Sequence, residues 1–546
     1  MLAAALAVSA PVFGAPPVYD DHALVERNPL AHAPVQWRAI FATGYWSGSG
    51  IREGNEYRPL TILSFAALDP LGVAGQRVAN GVLHALAACL AGEVIALLFV
   101  SSWIGAAAGL AFAVHPVHAE VLGSLVGRGE LLAAGLGFGA WWAHLARRPR
   151  LAALAMGAAF LAKETAIAIP ALVLLGDLAR GAWRARFPGW LRLLVGLALA
   201  MAVRTVAVGG LTATEAIDPN DNPLAALPVE SRMLSALASF GSAARLVLVP
   251  VGLMPDRVTE ATIVRGLSDP RWIPGLAIVL LAPCLLAAVA CGKPRAASFA
   301  LAAGVFVVAY LPVSNLIFPV GTPLAERLLY VPSLGACLAL ATVLERSPIA
   351  ARGVASLVVM GVLAAGSVAA IWPYRDELVL WQREYRLAPS NRKALVNLAS
   401  SLTERKRLDE AVLLLRSGIA RDPTHEPFHH ALSGALAEQG KTAEAIAEAR
   451  EALRLAPTDH QAMLELAGLL YDTGDEAEAE PLYRTVAGAF PGDGEPWWYL
   501  SRIAEHAGDR AGAAASMREA AMRYGAGSEW SHRAAAELAR LGSAAR

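Results

Sequence analysis

The sequence predicts an all-α chain in two parts, a polytopic helical membrane domain followed by a solenoid of helix pairs. Three observations predict it. The 546 residues are 56% hydrophobic and 17% charged, a composition typical of a multi-span membrane protein. Up to about Ile371 the chain is a succession of Ala/Leu/Val/Gly runs, and beyond it charged residues recur every few positions. That second part repeats with a fixed step of 34 residues. The shifts place a membrane domain over 1–372, a linker over 373–388 and repeats over 389–546. A formal net charge of zero offers no global attraction for a polyanion, so no nucleic-acid partner is expected. Cys89, Cys284, Cys291 and Cys337 all lie in apolar runs as small hydrophobes, which is not a disulfide or metal framework.

Taken in order, Leu2 to Ala15 is apolar but shorter than the ~20 residues a span needs. Pro16-Pro17 follows, a poor context for signal cleavage, so the segment reads as a first transmembrane helix missing or mis-started at its N-terminal end. The polar stretch 18–77 reads as the first outer loop and opens with Val18-Tyr19-Asp20-Asp21-His22. Apolar spans then fall near 78–100, 103–119, 129–146, 151–163, 164–180, 189–208, 272–291, 297–312, 331–345 and 352–371. The short pair meeting at Lys163-Glu164 reads as broken helices buried in protein. Arg147/Arg148/Arg150, Arg180/Arg184/Arg186, Lys293/Arg295 and Arg346/Arg352 mark cytoplasmic loops by the positive-inside rule. They stay on one side only if the segment 233–250 is interfacial or re-entrant. The repeats then lie on the outer face, with Asp20 and Asp21.

The repeat can be counted residue by residue. Pro389, Pro423, Pro457 and Pro491 keep the 34-residue step, as do Leu398, Leu432, Leu466 and Leu500, and Ala411, Ala445, Ala479 and Ala513. Gly440, Gly474 and Gly508 follow it too, with Lys406 in the first repeat. Small residues where two helices meet and a Pro after the second helix make this the tetratricopeptide pattern, about four repeats with a C-terminal capping helix. Such stacks present a concave face to an extended peptide.

Polar residues of the membrane part gather at the outer ends of spans. Adjacent Asp20 and Asp21 at a membrane boundary must face water or a cation, or else form a solvated turn. His115-Pro116-Val117-His118-Ala119-Glu120 and Gly127-Arg128-Gly129-Glu130 form a second group. Two imidazoles and a carboxylate make Asp21, His115 and His118 a weak candidate set for a divalent cation, weakened further because Pro116 breaks the helix between the rings. Lys163-Glu164 reads as an internal ion pair. Arg327, after Glu326 and before Tyr330, is placed to take a phosphate bidentately. Together these residues describe an outward-facing cavity with carboxylates on one wall and cations on the other.

The segments Tyr19-Asp20-Asp21, Tyr57-Arg58-Pro59-Leu60-Thr61, Ala113 to Glu120, Gly127 to Leu132, Leu161-Ala162-Lys163-Glu164, Leu311 to Leu316 and Ala325 to Tyr330 resemble the membrane region of the transmembrane and tetratricopeptide-repeat (TMTC) family. These are O-mannosyltransferases of the C-type glycosyltransferase superfamily, with the same order of membrane domain and repeats. The resemblance implies inverting transfer of mannose or a similar hexose from a polyprenyl-phosphate carrier to an acceptor hydroxyl, Ser or Thr of an exported protein held by the repeats. Asp20 or Asp21 is then the general base. Arg327 leads the donor-phosphate residues, with Arg58 and Lys163, and His115, His118, Glu120, Arg128, Glu130, Glu164, Glu326 and Tyr330 support them. No cofactor is implied firmly, a divalent cation remaining a candidate, and no glycine-rich phosphate loop calls for a nucleotide sugar. The excess of Arg over Lys and the abundance of Ala suggest a GC-rich bacterial genome, hence the inner membrane with the repeats in the periplasm. Two other classes compete with this reading. One is a non-catalytic membrane anchor displaying a repeat scaffold, in which the outer charges are replaceable; the other is a transporter, disfavoured because its polar residues would sit near mid-span.

Overall fold

The structure, a computed structural model, describes all residues except 48–55, 211–216, 218, 258–262, 291–296, 491, 524–528 and 544–546. Cys291, Lys293, Arg295 and Pro491 therefore lie outside the described residues. The chain divides into two compact units, Met1–Asn391 and Arg392–Arg546. Among the described residues both are helical, and one isolated bridge, Asp256 with Ala325, is the only extended pairing.

In the first unit three helical stretches among the described residues are long and apolar enough to cross a membrane: Pro59–Phe99, Trp183–Val208 and Ile349–Arg375. Ser102–Ala113 and Pro116–Gly123 make a fourth if counted as one crossing bent by 46°. Pro116 is the cause of the bend, since its ring cannot continue the preceding helix. Pro149–Ala162, Ala297–Tyr310 and Ser333–Glu345 are shorter apolar helices. Lipid gives helices no hydrophobic reason to associate, so they pack through small residues. A Cβ on Gly105 would lie 2.5 Å from the Gly92 carbonyl, and one on Gly196 would lie 2.1 Å from that of Ala153. Backbones touch there, and any side chain would push the helices apart.

Two sequence expectations change. The stretch 18–77 is not a loop throughout: Pro59–Leu68 is helical and joins Gly72–Phe99 across the short Asp69–Leu71 turn. Gln76 and Arg77 made that region look polar, yet both are buried, because neighbouring residues supply their hydrogen-bond partners. Nor is 373–388 a linker. Glu377–Leu387 is a helix capped by Asp376, whose side chain accepts from the Val379 N–H, and it buries Leu380, Trp381 and Glu384 within the first unit. The segment read as interfacial is the helix Val229–Leu248, with charges at Glu230, Arg232 and Arg245; it is not among the apolar spans.

The second unit is four helix pairs and a last helix. The pairs are Arg392–Glu404 with Leu408–Arg421, Glu426–Glu438 with Thr442–Leu455, His460–Asp472 with Glu476–Ala489, and Glu495–His506 with Arg510–Arg523, followed by Glu529–Ser543. Ala411, Ala445, Ala479 and Ala513 are fully buried, the small residues that let paired helices approach. Gly440, Gly474 and Gly508 turn the chain between paired helices at φ +74°, +83° and +81°, and Lys406 does so at +58° with a side chain in the way.

Candidate active site

The three residues Tyr19, Asp20 and Asp21 point to three different places. Tyr19 has φ +56°, the left-handed region that a bulky residue enters at a cost of order 1–3 kcal/mol. Asp21 anchors the far side of this turn. Fully buried, it accepts from the Val18 N–H at 3.2 Å, Ser124 Oγ at 2.6 Å and the Val126 N–H at 3.0 Å. Its charge faces Arg77 Nη2 at 3.6 Å, and Arg77 donates in turn to the carbonyls of Ala15, Pro16 and Gly123. The Tyr19 N–H donates to Glu377 Oε1 at 3.3 Å, its hydroxyl to Asp256 Oδ2 at 3.4 Å, and its ring meets Trp381 edge-on at 5.2 Å. Asp20 alone of the two carboxylates keeps solvent access. Its charge acts on Tyr45, whose ring lies under the Arg58 guanidinium at 4.6 Å.

Arg327 is held between two carboxylates. Its Nη1 lies 2.5 Å from Glu120 Oε1, its backbone N–H donates to Glu120 Oε2 at 2.7 Å, and its Nη2 lies 3.4 Å from Asp256 Oδ1. Glu120 thereby grips both backbone and side chain, fixing the guanidinium while leaving further N–H donors for a ligand. Arg257 faces Glu326 at 3.3 Å, and Glu326 Oε1 accepts from the Met254 N–H at 2.5 Å. Tyr374 packs on Gly123, three residues after Glu120, its ring so close that a Cβ there would fall 2.3 Å from it.

The other sequence candidates form separate groups. Lys163 pairs with Glu130 at 2.8 Å and Arg58 with Glu164 at 2.9 Å, so Lys163-Glu164 is not an internal ion pair. The reason is local: Lys163 is extended, between the helix Pro149–Ala162 and the turn Glu164–Ala168, which sends the two side chains apart. Arg128 is fully buried, bonded to Asn80, Gln76 and the Ser64 carbonyl and stacked on Phe65, a packing role. His115 Nε2 lies 3.0 Å from the Val247 carbonyl, His118 Nε2 2.8 Å from Ser333 Oγ, and the Tyr330 hydroxyl 2.8 Å from His84 Nδ1. His115 is thus spent on protein partners, Nδ1 accepting from the Val117 N–H, and Asp21 on its own set, while His118 Nδ1 is buried without a hydrogen-bond partner. Among the described residues no three His, Cys, Asp or Glu side chains converge to hold a metal.

Electrostatics set the protonation of the rim. Burial, reinforced by Glu120 and only partly offset by Arg257, pushes Glu326 up to about 8. Burial and the neighbouring Glu326 push Glu384 up to about 9. His22 is the opposite case: Nε2 lies 2.9 Å from Glu377 and Nδ1 2.7 Å from Glu26. Only the doubly protonated ring can donate to both, and the Glu377 contact above all raises its pKa to about 9.

Comparison with known proteins gives the following similarities. Residues 374–458 match a tetratrico peptide repeat model and residues 436–503 a second, tetratricopeptide repeat model. A Caenorhabditis elegans protein O-mannosyl-transferase is 26% identical over 424 residues, 75% of this chain and 60% of that protein. Mouse protein O-mannosyl-transferase TMTC3 is 25% identical, over 72% of this chain and 48% of that one. Human TMTC1 is 26% identical, over 75% and 53%. The chain is a relative of the TMTC protein O-mannosyl-transferases. It spans about half to three-fifths of the length of these relatives.

In this TMTC relative, sequence reasoning missed Asp256, Arg77, Glu377 and Glu384. Arg77 carried a readable signal, a lone cation at the edge of an apolar run. Asp256 and Glu377 carried none, since the site groups they meet lie far along the chain, and Glu384 reaches Glu326 likewise although its ion-pair partner is the adjacent Arg383.

Proposed function

We propose that this chain is an integral-membrane glycosyltransferase that moves mannose or a similar hexose from a polyprenyl phosphate to a hydroxyl of a protein acceptor on the outer face of the membrane. The observation that carries the reading is the division of labour in the Tyr19–Asp21 turn. Asp21 is consumed as a buried anchor, which leaves Asp20 as the carboxylate with water access. Asp20 is the general base: it takes the proton as the acceptor oxygen attacks the anomeric carbon, typically worth 10²–10⁴-fold. The leaving lipid phosphate gathers negative charge, and a fixed guanidinium facing it lowers the barrier. Arg327, the most exposed of the three candidate cations at 29% against 14% for Arg58 and 12% for Lys163, fills that role. Glu120 and Asp256 aim it. The repeats supply the acceptor surface.

The test is donor choice. Purified full-length chain in lipid nanodiscs, given radiolabelled polyprenyl-phosphate mannose and a mixture of exported proteins, is expected to label protein, and to give none from a nucleotide sugar alone. Labelling from the nucleotide sugar alone would overturn the donor assignment.

A further inference from the structure

The repeat unit buries a hydroxyl where its pattern calls for an apolar side chain. Leu415, Ala449, Tyr483 and Met517 follow the 34-residue step, and of these only Tyr483 carries a hydroxyl. Tyr483 is 1% exposed, and its hydroxyl has no hydrogen-bond partner, an unfavourable state for a buried polar group. Gly468 stands in front of it: a Cβ there would lie 3.8 Å from the hydroxyl, and a longer side chain would cover it.

This ring belongs to a row. Tyr483 stacks on Tyr499 with centroids 4.9 Å apart and planes within 6°, and Tyr499 meets Tyr471 edge-on at 5.2 Å. Tyr471 and Tyr499 are half-buried and stand on the first helices of the third and fourth pairs, His460–Asp472 and Glu495–His506. The same helices bring two exposed carboxylates, Asp472 at the end of one and Glu495 at the start of the other. Glu495 lies four residues before Tyr499 and shares its face. Burial first, and these two charges with it, hold the Tyr483 and Tyr499 hydroxyls above the ordinary phenol range.

Elsewhere the repeats match such charges across neighbouring pairs, Lys406 with Glu438, Arg416 with Glu444 and Arg450 with Glu478. Among the described residues no Lys, Arg or His pairs with Asp472 or Glu495. The cations of the second helix are already taken: His506, stacked on Tyr471 at 6.1 Å, pairs with Glu476 at 2.6 Å, and Arg502 with Glu505 and Glu537 at 3.1 and 3.0 Å. Glu495 suits the positive end of its helix dipole. Asp472 sits at the negative end of its own, where a carboxylate is disfavoured without a cation facing it. Ring faces, two uncompensated carboxylates and a hydroxyl without a donor share one complement, a cation that carries N–H groups.

We infer that the third and fourth repeats hold the acceptor segment by one Lys or Arg, its cation seated against Tyr471 and Tyr499 between Asp472 and Glu495, with an N–H turned toward the Tyr483 hydroxyl beside Gly468. The inference rests on the acceptor role proposed above for the repeats. Acceptor choice then follows a basic residue near the modified Ser or Thr.

The experiment uses the full chain in nanodiscs and fluorescein-labelled peptides of about twelve residues, built from Ser, Thr and Ala with a single central Arg, Lys, citrulline or Glu. Fluorescence anisotropy is expected to show the Arg and Lys peptides binding about tenfold more tightly than the citrulline peptide, the combined scale of a partly exposed cation–ring contact and an ion pair. The double variant Asp472→Asn/Glu495→Gln, at exposed positions, should abolish that preference, and Gly468→Leu should weaken binding of the Arg peptide by covering the hydroxyl. Asp409→Asn, an equal change of charge on another pair, should keep the preference. Equal binding of the Arg and citrulline peptides overturns the assignment, as does an equal loss in Asp409→Asn, which would mark a diffuse attraction. A preference for Arg without mannose transfer to any of these peptides supports the pocket and sinks the transferase reading, whereas transfer without the preference does the reverse.

Discussion

Replacing Asp21 with Asn should destabilise the membrane unit, and its size follows from the contacts. Asp21 Oδ1 accepts from Ser124 Oγ and the Val126 N–H, and Oδ2 accepts from the Val18 N–H and faces Arg77. Asn offers one acceptor and one amide group, so whichever way it turns a donor meets a donor. A stranded buried N–H costs ~1–3 kcal/mol, and removing one partner of a buried ion pair costs ~3–5 kcal/mol. The terms overlap, and three carbonyls still hold Arg77. A net loss near 3 kcal/mol follows. At ~2.1 cal/mol/K per residue over the unit Met1–Asn391, that lowers the apparent melting temperature by roughly 3–4 °C. Asp20→Asn, at a partly exposed position, should lower stability less than Asp21→Asn does. The assay is the fraction of detergent-solubilised protein surviving heating at one fixed rate, for wild type and both variants. If Asp21→Asn melts with wild type while Asp20→Asn falls, the assignment of anchor and base is reversed.

Three further outcomes are expected, the last from the proposed orientation. The His22 contact to Glu377 gives stability that is fully present below the unfolded pKa near 6.5 and is lost as pH rises through the folded value of about 9. Amide exchange over 18–27 should accelerate between those limits, and His22→Gln should flatten the pH dependence; an unchanged profile would refute the latch. Lys406→Gly removes a side chain from a left-handed position that glycine occupies in the other repeats, and should stabilise the repeat unit by about 0.5–1 kcal/mol, less the small worth of the exposed Lys406–Glu438 pair. Equal or lower resistance to urea would contradict it. A periplasm-dependent reporter fused after Arg546 should be active, and activity of a cytoplasm-only reporter at the same junction would reverse the proposed orientation.

The fold was legible where spacing is local. The 34-residue step locates each helix pair, and the same step marks Lys406 as the odd member of a row of left-handed turns. Helices such as Arg128–Leu145 and Ala297–Tyr310 follow their apolar runs. The site was legible only as a list of residue types. Tyr19-Asp20-Asp21 reads as two carboxylates of which one is the base, without saying which, and what separates them is Arg77 from another helix and Ser124 and Val126 from the turn between Ala119–Gly123 and Arg128–Leu145. Adjacency in sequence likewise suggested the wrong pairing for Lys163 and Glu164, because an extended residue between two helices throws neighbouring side chains to opposite sides. Asp256 and Glu377 entered through packing alone.

In the proposed reaction Asp20 performs proton transfer while Asp21 only holds it in place. The most direct measurement is the single-turnover rate of mannose transfer by the full chain in nanodiscs, from bound polyprenyl-phosphate mannose to a saturating protein acceptor, for wild type and Asp20→Asn. The predicted result is a rate lower by about 10²–10⁴-fold with donor affinity unchanged. Transfer by Asp20→Asn within a few-fold of wild type would contradict it.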